Sequence, residues 1–184
     1  MYNYNTMRAF IGINLPLALK KKIFAYAQEI SKDWRIKLVE EKNLHLTLLF
    51  LGNISEKDKE KITKVLNGFI GFGTINLKIS GVEFFPDTKT ARGIWLNVAG
   101  EKEKLFSLYK RMIDGFLSAG INLEERNLRF SPHITLGRLK EKRRKIGNID
   151  EPSGEFKTEK ITFFESRLSR DGPRYIKIDE FEVK

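Results

Sequence analysis

The chain holds two histidines, and each begins the same four-residue pattern: His45-Leu46-Thr47-Leu48 and His133-Ile134-Thr135-Leu136. Side chains alternate faces along a strand, so a His and a Thr two positions apart point the same way, about 6.5–7 Å from one another. Each copy therefore places one imidazole and one hydroxyl on an otherwise apolar strand. Imidazole titrates near 6.5 when unperturbed, so at neutral pH one ring can accept a proton while a second donates one. Displacement at phosphorus needs those two roles on opposite sides of the reacting atom. Threonine hydroxyls and an arginine can hold the non-bridging oxygens as charge builds on them. A lone H-x-T reads first as a strand residue beside a good strand former. Its repetition around both histidines, in matching apolar frames, points instead to His45 and His133 as catalytic, with Thr47 and Thr135 as substrate ligands.

Arg138, three residues after Thr135, is the nearest arginine to either motif in the following sequence. On a flat strand, positions 133 and 138 face opposite ways. Gly137 could supply a bulge that re-aims Arg138 towards the site. Other chemistries fit less well. Glu40, Glu41 and Glu141 lie near the motifs without the spacing of a metal helix such as H-E-x-x-H. No phosphate-binding loop of the G-x-x-x-x-G-K-[ST] type and no G-x-G-x-x-G is present, and no G-x-S-x-G elbow frames Ser131. Cysteine is absent, which excludes disulfides and thiolate metal sites. Neither a metal nor a cofactor is expected.

The elements that must carry these residues follow from periodicity. Positions 8–15 read as a mostly buried strand, with Met7 as its potential start and the first six residues a frayed extension. Pro16 then opens a helix with one apolar face at Leu19, Ile23, Tyr26, Ala27 and Ile30. A short strand at 36–39 follows Trp34. The first motif strand spans 44–51 and ends at Gly52-Asn53. Ser55, with Asp58 three residues on, starts a second helix. Strands are expected at 75–85 and 93–98, and a third helix at 101–119 with Gly120 as its cap. The second motif strand covers 133–139. One strand at 155–164, with a continuation to Leu168, and a final strand at 174–183 complete the chain around a turn at 169–173. Strand 8–15, helix 16–32 and strand 44–51 match strand 93–98, helix 101–119 and strand 133–139. Two such units packed about an approximate two-fold axis would set the motif strands on opposite walls of one cleft. No linker separates the units, so the expectation is a single domain, 1–184, of two intertwined lobes.

With 184 residues, 41% of them hydrophobic, the chain is long enough to bury a core. No apolar run approaches the roughly 18 residues of a membrane helix, and the N-terminus has no signal-peptide pattern. The expected setting is cytoplasmic. The formal net charge of +10 favours a polyanionic partner. Lys20-Lys21-Lys22 forms one basic cluster on the first helix. Lys140, Lys142, Arg143, Arg144 and Lys145 form another just after the second motif, where it could guide a nucleic acid.

The chain resembles the 2H phosphoesterase superfamily, and more closely the RNA 2′,3′-cyclic phosphodiesterases, also called 2′-5′ RNA ligases. The likeness runs through Met7-Arg8-Ala9-Phe10-Ile11-Gly12-Ile13 with Leu15-Pro16, and through 41–52 around the first motif. It continues in Phe84-Phe85-Pro86, in Gly93-Ile94-Trp95-Leu96 and in 130–138 around the second motif. It implies a bilobal α+β fold, with two antiparallel sheets lining a central cleft and helices outside. It implies metal-independent hydrolysis of RNA 2′,3′-cyclic phosphate ends to 2′-phosphates, with a capacity for reversible 2′-5′ ligation. On that pattern His133 activates water and His45 protonates the departing 3′-oxygen, although the near symmetry of the motifs favours neither direction by itself. Thr47, Thr135 and Arg138 would bind phosphate, and Phe10 and Phe50 would help seat the nucleoside. By ordinary burial statistics, Phe10 and Phe50 read as core residues. The implied partners are RNA ends, tRNA fragments by analogy alone, or nucleoside cyclic phosphates. The implied state is a monomer. The alternative is a module that binds RNA or a nucleotide in the same basic cleft without turnover.

Overall fold

A computed structural model of the chain describes residues 6–32, 35–86, 91–128, 130–140, 152–169 and 172–184. Trp34, Glu141 and the basic run Lys142, Arg143, Arg144 and Lys145 lie outside the described residues, as do the first five positions. The mostly buried run of the first strand yields β1 (Thr6–Asn14), and the 3.6-residue stripe after Pro16 yields α1 (Leu17–Ser31). A short β2 (Ile36–Leu38) and a single 3-10 turn, Glu41–Asn43, lead into β3 (His45–Ser55). The Ser55 hydroxyl then caps α2 (Glu56–Asn67) by accepting from the Asp58 amide, and the Asp58 carboxylate accepts from the Ser55 amide in return. Such a cap is worth about 1 kcal/mol. The remaining elements are β4 (Ile75–Phe85), β5 (Gly93–Gly100), α3 (Lys102–Ser118), β6 (His133–Leu139), β7 (Glu155–Thr158), β8 (Lys160–Ser169) and β9 (Gly172–Glu182).

The strands form an antiparallel sheet in the order β7-β4-β5-β6-β3-β1-β8-β9, with β2 added alongside β6. Its two halves meet at one residue pair, Leu46 of β3 opposite Ile134 of β6. Each half is thus nearly a sheet of its own, and the expected pair of sheets is realised as two wings sharing a narrow seam. The expected repeat is present: β1-α1-β3 and β5-α3-β6 each return the motif strand beside the strand that precedes the helix. One apolar body lies on the helix side of both wings. Leu46, Leu96, Ile134 and Phe163 from the strands join Ile23 and Ile30 of α1, Ile62 of α2 and Leu105, Met112 and Phe116 of α3. Burying a side chain of this size contributes about 1.5–3 kcal/mol.

Two departures from the sequence reading bear on the site, beside shifts of one or two residues at the ends of other elements. β3 does not stop at Gly52 but continues to Ser55, because β1 begins at Thr6 and offers partners as far as Thr6–Ser55. The expected single strand at 155–164 is two. β7 pairs with β4 at one end of the sheet, while β8 pairs with β1 and β9 at the other. Only Glu159 separates them. So short a crossing is feasible only where the sheet curls until its ends approach, and this curl places the second face of both wings around a common hollow.

Candidate active site

The seam sets the site. Leu46 and Ile134 are both fully buried on the helix side, so the flanking residues of each strand face the hollow. Continuing the antiparallel register outward from that pair places His45 beside Thr135 and Thr47 beside His133. The two histidines are then diagonal neighbours, a relationship that spans about 7–8 Å between strands. Their charges feel one another: a proton on His133 disfavours one on His45.

Both rings are held by the same device. The Nδ1–H of His45 donates to the Asn43 carbonyl at 2.7 Å, and that of His133 donates to the Ser131 carbonyl at 2.7 Å. A carbonyl only accepts, so in each ring the proton of the neutral form sits on Nδ1 and the Nε2 lone pair is left for chemistry. On His45 that lone pair accepts from the Thr47 hydroxyl at 2.9 Å. The holding carbonyls lie two residues upstream, where the chain enters the strand. At Asn43 the support goes further. Its buried side-chain amide donates to the Pro173 carbonyl, tying the start of β9 to the first motif.

The surroundings of the two rings differ. His45 is enclosed by aromatic side chains: Phe10 at 4.9 Å, Tyr175 edge-on at 5.1 Å and Phe164 at 5.9 Å between ring centroids. Burial pushes its pKa down to about 4 against the partial compensation of the Asn43 carbonyl, and the charges of Lys20 and His133 add to the depression. Lys20 itself is buried, and its ammonium donates to the Lys42 carbonyl at 2.9 Å. It is therefore part of the wall behind the first motif, not of a free basic patch on α1. Burial also lowers His133, but the Ser131 carbonyl and the Glu83 carboxylate both favour its charged form. Trp95 lies against it at 4.3 Å between ring centroids. The indole Nε1–H donates to Glu83 at 3.2 Å, and hydrogen bonds from Asn97 and Trp95 hold that carboxyl below its usual range.

Arg138 reaches the hollow in the way Gly137 suggested. Thr135 pairs with Trp95 while Gly137 pairs with Ile94, so β6 carries an extra residue there and the parity of Arg138 is reset to that of His133. A Cβ on Gly137 would lie 2.6 Å from Ile36 and 2.8 Å from the Lys37 carbonyl, so only glycine lets β2 approach the bulge. Arg138 also lowers the pKa of Tyr175, which burial raises, as does Arg8. Both guanidiniums are thus within electrostatic reach of the ring packed on His45. A matching bulge follows Thr47, since Gly12 pairs with Thr47 and Ile11 with Leu49. It turns Phe50 outwards, 47% exposed. Phe10 does not share that role. At 1% exposure, stacked on Phe164 at 4.9 Å, it is the floor beneath His45 and cannot touch a nucleoside.

The sequence reading thus brings together His45, His133, Thr47, Thr135, Arg138 and Phe50. It missed Asn43, Glu83, Phe164 and Tyr175, and it passed over Trp95 and Arg8 as strand residues. The one available signal was aromatic residues at the motif strands' neighbours. Among the described residues no three His, Asp or Glu side chains are grouped as metal ligands, and no helix is long and apolar enough to cross a membrane.

The family model described as the AKAP7 2′5′ RNA ligase-like domain matches residues 10–168. An RNA 2′,3′-cyclic phosphodiesterase of Methanocaldococcus jannaschii is 32% identical over 184 residues, covering 95% of this chain and 100% of that protein. One of Thermotoga maritima is 31% identical over 175 residues, covering 92% and 91%. Among solved structures, TT0787 of Thermus thermophilus superposes with a TM-score of 0.82 at 22% identity, covering 96% of this chain and 98% of the other. Escherichia coli LigT complexed with 3′-AMP gives 0.78 at 21% identity, covering 98% and 99%. At that identity the likeness is one of fold, and it agrees with the α+β architecture described above.

Proposed function

The chain belongs to the 2H phosphoesterases, within the RNA 2′,3′-cyclic phosphodiesterase family, and on that footing we propose that it hydrolyses RNA-terminal 2′,3′-cyclic phosphates to 2′-phosphates by histidine acid/base catalysis without a metal. The observation that carries this reading is the seam at Leu46 and Ile134, which turns both His/Thr pairs onto one face at the spacing of diagonal neighbours. Thr47, Thr135 and Arg138 hold the non-bridging oxygens, and Phe50 seats the terminal nucleoside on the His45 side. His133 is the more basic ring, supported by Glu83, and its Nε2 takes the proton of the attacking water. The P–O3′ bond breaks as the P–O bond to water forms, and His45 Nε2–H gives its proton to the departing 3′-oxygen. A charge on His45 is costly in the empty pocket. The anionic phosphate supplies the counter-charge that lets the ring carry a proton, which it then holds weakly and gives up readily. Both motifs come from one chain, so a monomer suffices, and the substrate class fits a cytoplasmic setting.

The test is incubation with a nucleoside 2′,3′-cyclic phosphate in EDTA. The expected result is the 2′-phosphate, with His45→Ala and His133→Ala each reducing kcat/KM by about 10²–10⁴-fold while circular dichroism is preserved. Inert wild-type protein would leave a binding module as the better account. Activity that needs added metal would remove the two-histidine mechanism.

A further inference from the structure

The face of α1 that packs into the core includes Ile23, Ala27 and Ile30. Lys20 continues that stripe backwards at the same helical spacing, and it is buried where an apolar side chain is expected. A buried ammonium is disfavoured unless another group answers it. Burial lowers its pKa, and the charge of Glu41 offsets part of that cost. An apolar side chain of similar length would carry no such cost, so packing does not account for the lysine. Its ammonium donates to the Lys42 carbonyl at 2.9 Å. That carbonyl is the third of four in a row that accept hydrogen bonds. The Glu40 carbonyl accepts from the Asn43 amide at 2.8 Å, and the Glu41 carbonyl from the Leu44 amide at 3.2 Å. The Lys42 carbonyl accepts from Lys20, and the Asn43 carbonyl accepts from His45 Nδ1–H at 2.7 Å. Lys20 thus holds the peptide group next to the one that orients the first imidazole.

The second motif reaches its histidine by another route. Pro132 stands between Ser131, whose carbonyl holds the ring, and His133, and a proline ring fixes φ near about −65°. The equivalent residue of the first motif is Leu44. It adopts φ −65° as well, with no ring to impose it. We propose that Lys20 is the positioning residue of the first imidazole: by holding the Lys42 carbonyl it keeps the turn before His45 in the shape that Pro132 gives the second motif covalently. The proposal rests on the phosphodiesterase reading above and adds to it a residue that acts through two consecutive peptide groups, not on the substrate. The Asn43 side chain, tied to the Pro173 carbonyl, holds the same turn from the other side. With the turn held at both points, the Asn43 carbonyl stays on Nδ1 and leaves Nε2 of His45 aimed at the departing oxygen.

The experiment compares wild type, Lys20→Met and Lys20→Arg. Methionine fills the same space without a donor, and arginine keeps a donor and the charge. Lys20→Met is expected to unfold at or above the wild-type temperature, because the buried charge is gone. Its kcat for a nucleoside 2′,3′-cyclic phosphate is expected to fall about tenfold or more, with KM unchanged to within about threefold. On bis(p-nitrophenyl) phosphate, whose leaving group needs no proton, the rate is expected to fall by less than about threefold. Lys20→Arg is expected to recover most of the loss. Nitrogen NMR at pH 7.5 resolves the two imidazoles, and Lys20→Met is expected to lose the Nδ1–H form at His45 alone. Equal losses on the two substrates, no loss on either, a clear drop in unfolding temperature or an unmoved His45 tautomer would overturn the role of Lys20 and leave hydrolysis by the wild type standing. Wild-type protein with no hydrolysis would bring down the underlying reading, and the tautomer comparison would then decide on Lys20 by itself.

Discussion

The buried imidazole of His45 makes stability depend on pH in a calculable way. Its pKa lies near 4 in the folded chain and near 6.5 when the chain unfolds, so between those values the unfolded state binds the extra proton. Stability is then fully present above about 6.5 and is lost as pH falls through 4. At about 1.36 kcal/mol per pKa unit the loss is a little over 3 kcal/mol in strong acid. At pH 4.5 it is about 2 kcal/mol, allowing for water at the ring edge that faces the hollow. Carboxylates titrate over the same range, so the quantity to measure is a difference. Urea unfolding at pH 7.5 and pH 4.5 is compared between wild type and His45→Gln. The wild type is expected to lose about 2 kcal/mol more than the variant over that interval. The same comparison for His133→Gln is expected to give a smaller difference, because the Ser131 carbonyl and Glu83 both favour its proton. Equal pH dependence in wild type and His45→Gln would show that the ring is solvated in the folded state. The cage of Phe10, Phe164 and Tyr175 would then not exist as described.

Three further outcomes test the site. Gly12→Ala places a Cβ 3.0 Å from the Leu46 carbonyl and 3.3 Å from His45 Cδ2; the displaced imidazole is expected to lower kcat/KM by about 10–100-fold, with an unchanged unfolding midpoint to within a few degrees. Arg138→Met removes charge-assisted hydrogen bonds worth about 1.5–3 kcal/mol to a phosphate, so KM for a cyclic phosphate is expected to rise about 10–100-fold. An aryl phosphodiester such as bis(p-nitrophenyl) phosphate has a leaving group that needs no proton. Steady-state rates on it are expected to survive in His45→Ala far better than in His133→Ala, and the reverse order would exchange the acid and the base.

Much of the site is legible in the chain because its members are close in sequence or share a period. His45 with Thr47, and His133 with Thr135, follow from strand alternation alone, and the glycine after the second motif marks the bulge that re-aims Arg138. The helix faces follow from their spacing for the same reason. What is not legible depends on neighbours across the sheet. Asn43 earns its place through Pro173, and Tyr175 through a hairpin that folds back over β1. Lys20 looks like one of three equivalent surface lysines until α1 is placed against the turn that precedes His45. The break at Glu159 shows in the chain only as the Glu159-Lys160 pair and a change of phase from Phe156 and Thr158 to Ile161 and Phe163, and only strand pairing shows that β7 and β8 serve opposite ends of the sheet. Phe10 is the same lesson in reverse: adjacency to the motif strand is real, but the side chain is spent beneath the imidazole.

In the proposed mechanism the internal repeat supplies the two proton carriers, and its departures from symmetry set them different tasks. Corresponding positions are found by register. Asn14 opposes His45 as Asn97 opposes His133, and Gly12 opposes Thr47 as Trp95 opposes Thr135. Five residues after each histidine, past matching bulges, stand Phe50 and Arg138. The repeat therefore supplies two rings with the same tautomer and the same orientation, which any reversible transfer at one phosphorus requires. At the two non-equivalent positions the wings part company. Glycine beside the first motif lets His45 settle onto an apolar floor, where a charge is disfavoured until an anion arrives. Tryptophan beside the second holds His133 near Glu83, whose carboxylate offsets part of the cost that burial sets on a proton there. On the proposed mechanism, phenylalanine on one side and arginine on the other would give the phosphate a single orientation, with its nucleoside towards His45 and the attacking oxygen towards His133. Exchanging Phe50 and Arg138 would leave both histidines intact. If orientation comes from these positions, the Phe50→Arg/Arg138→Phe double variant loses activity on the cyclic phosphate as severely as the loss of one imidazole. If it retains activity, the histidines alone set direction.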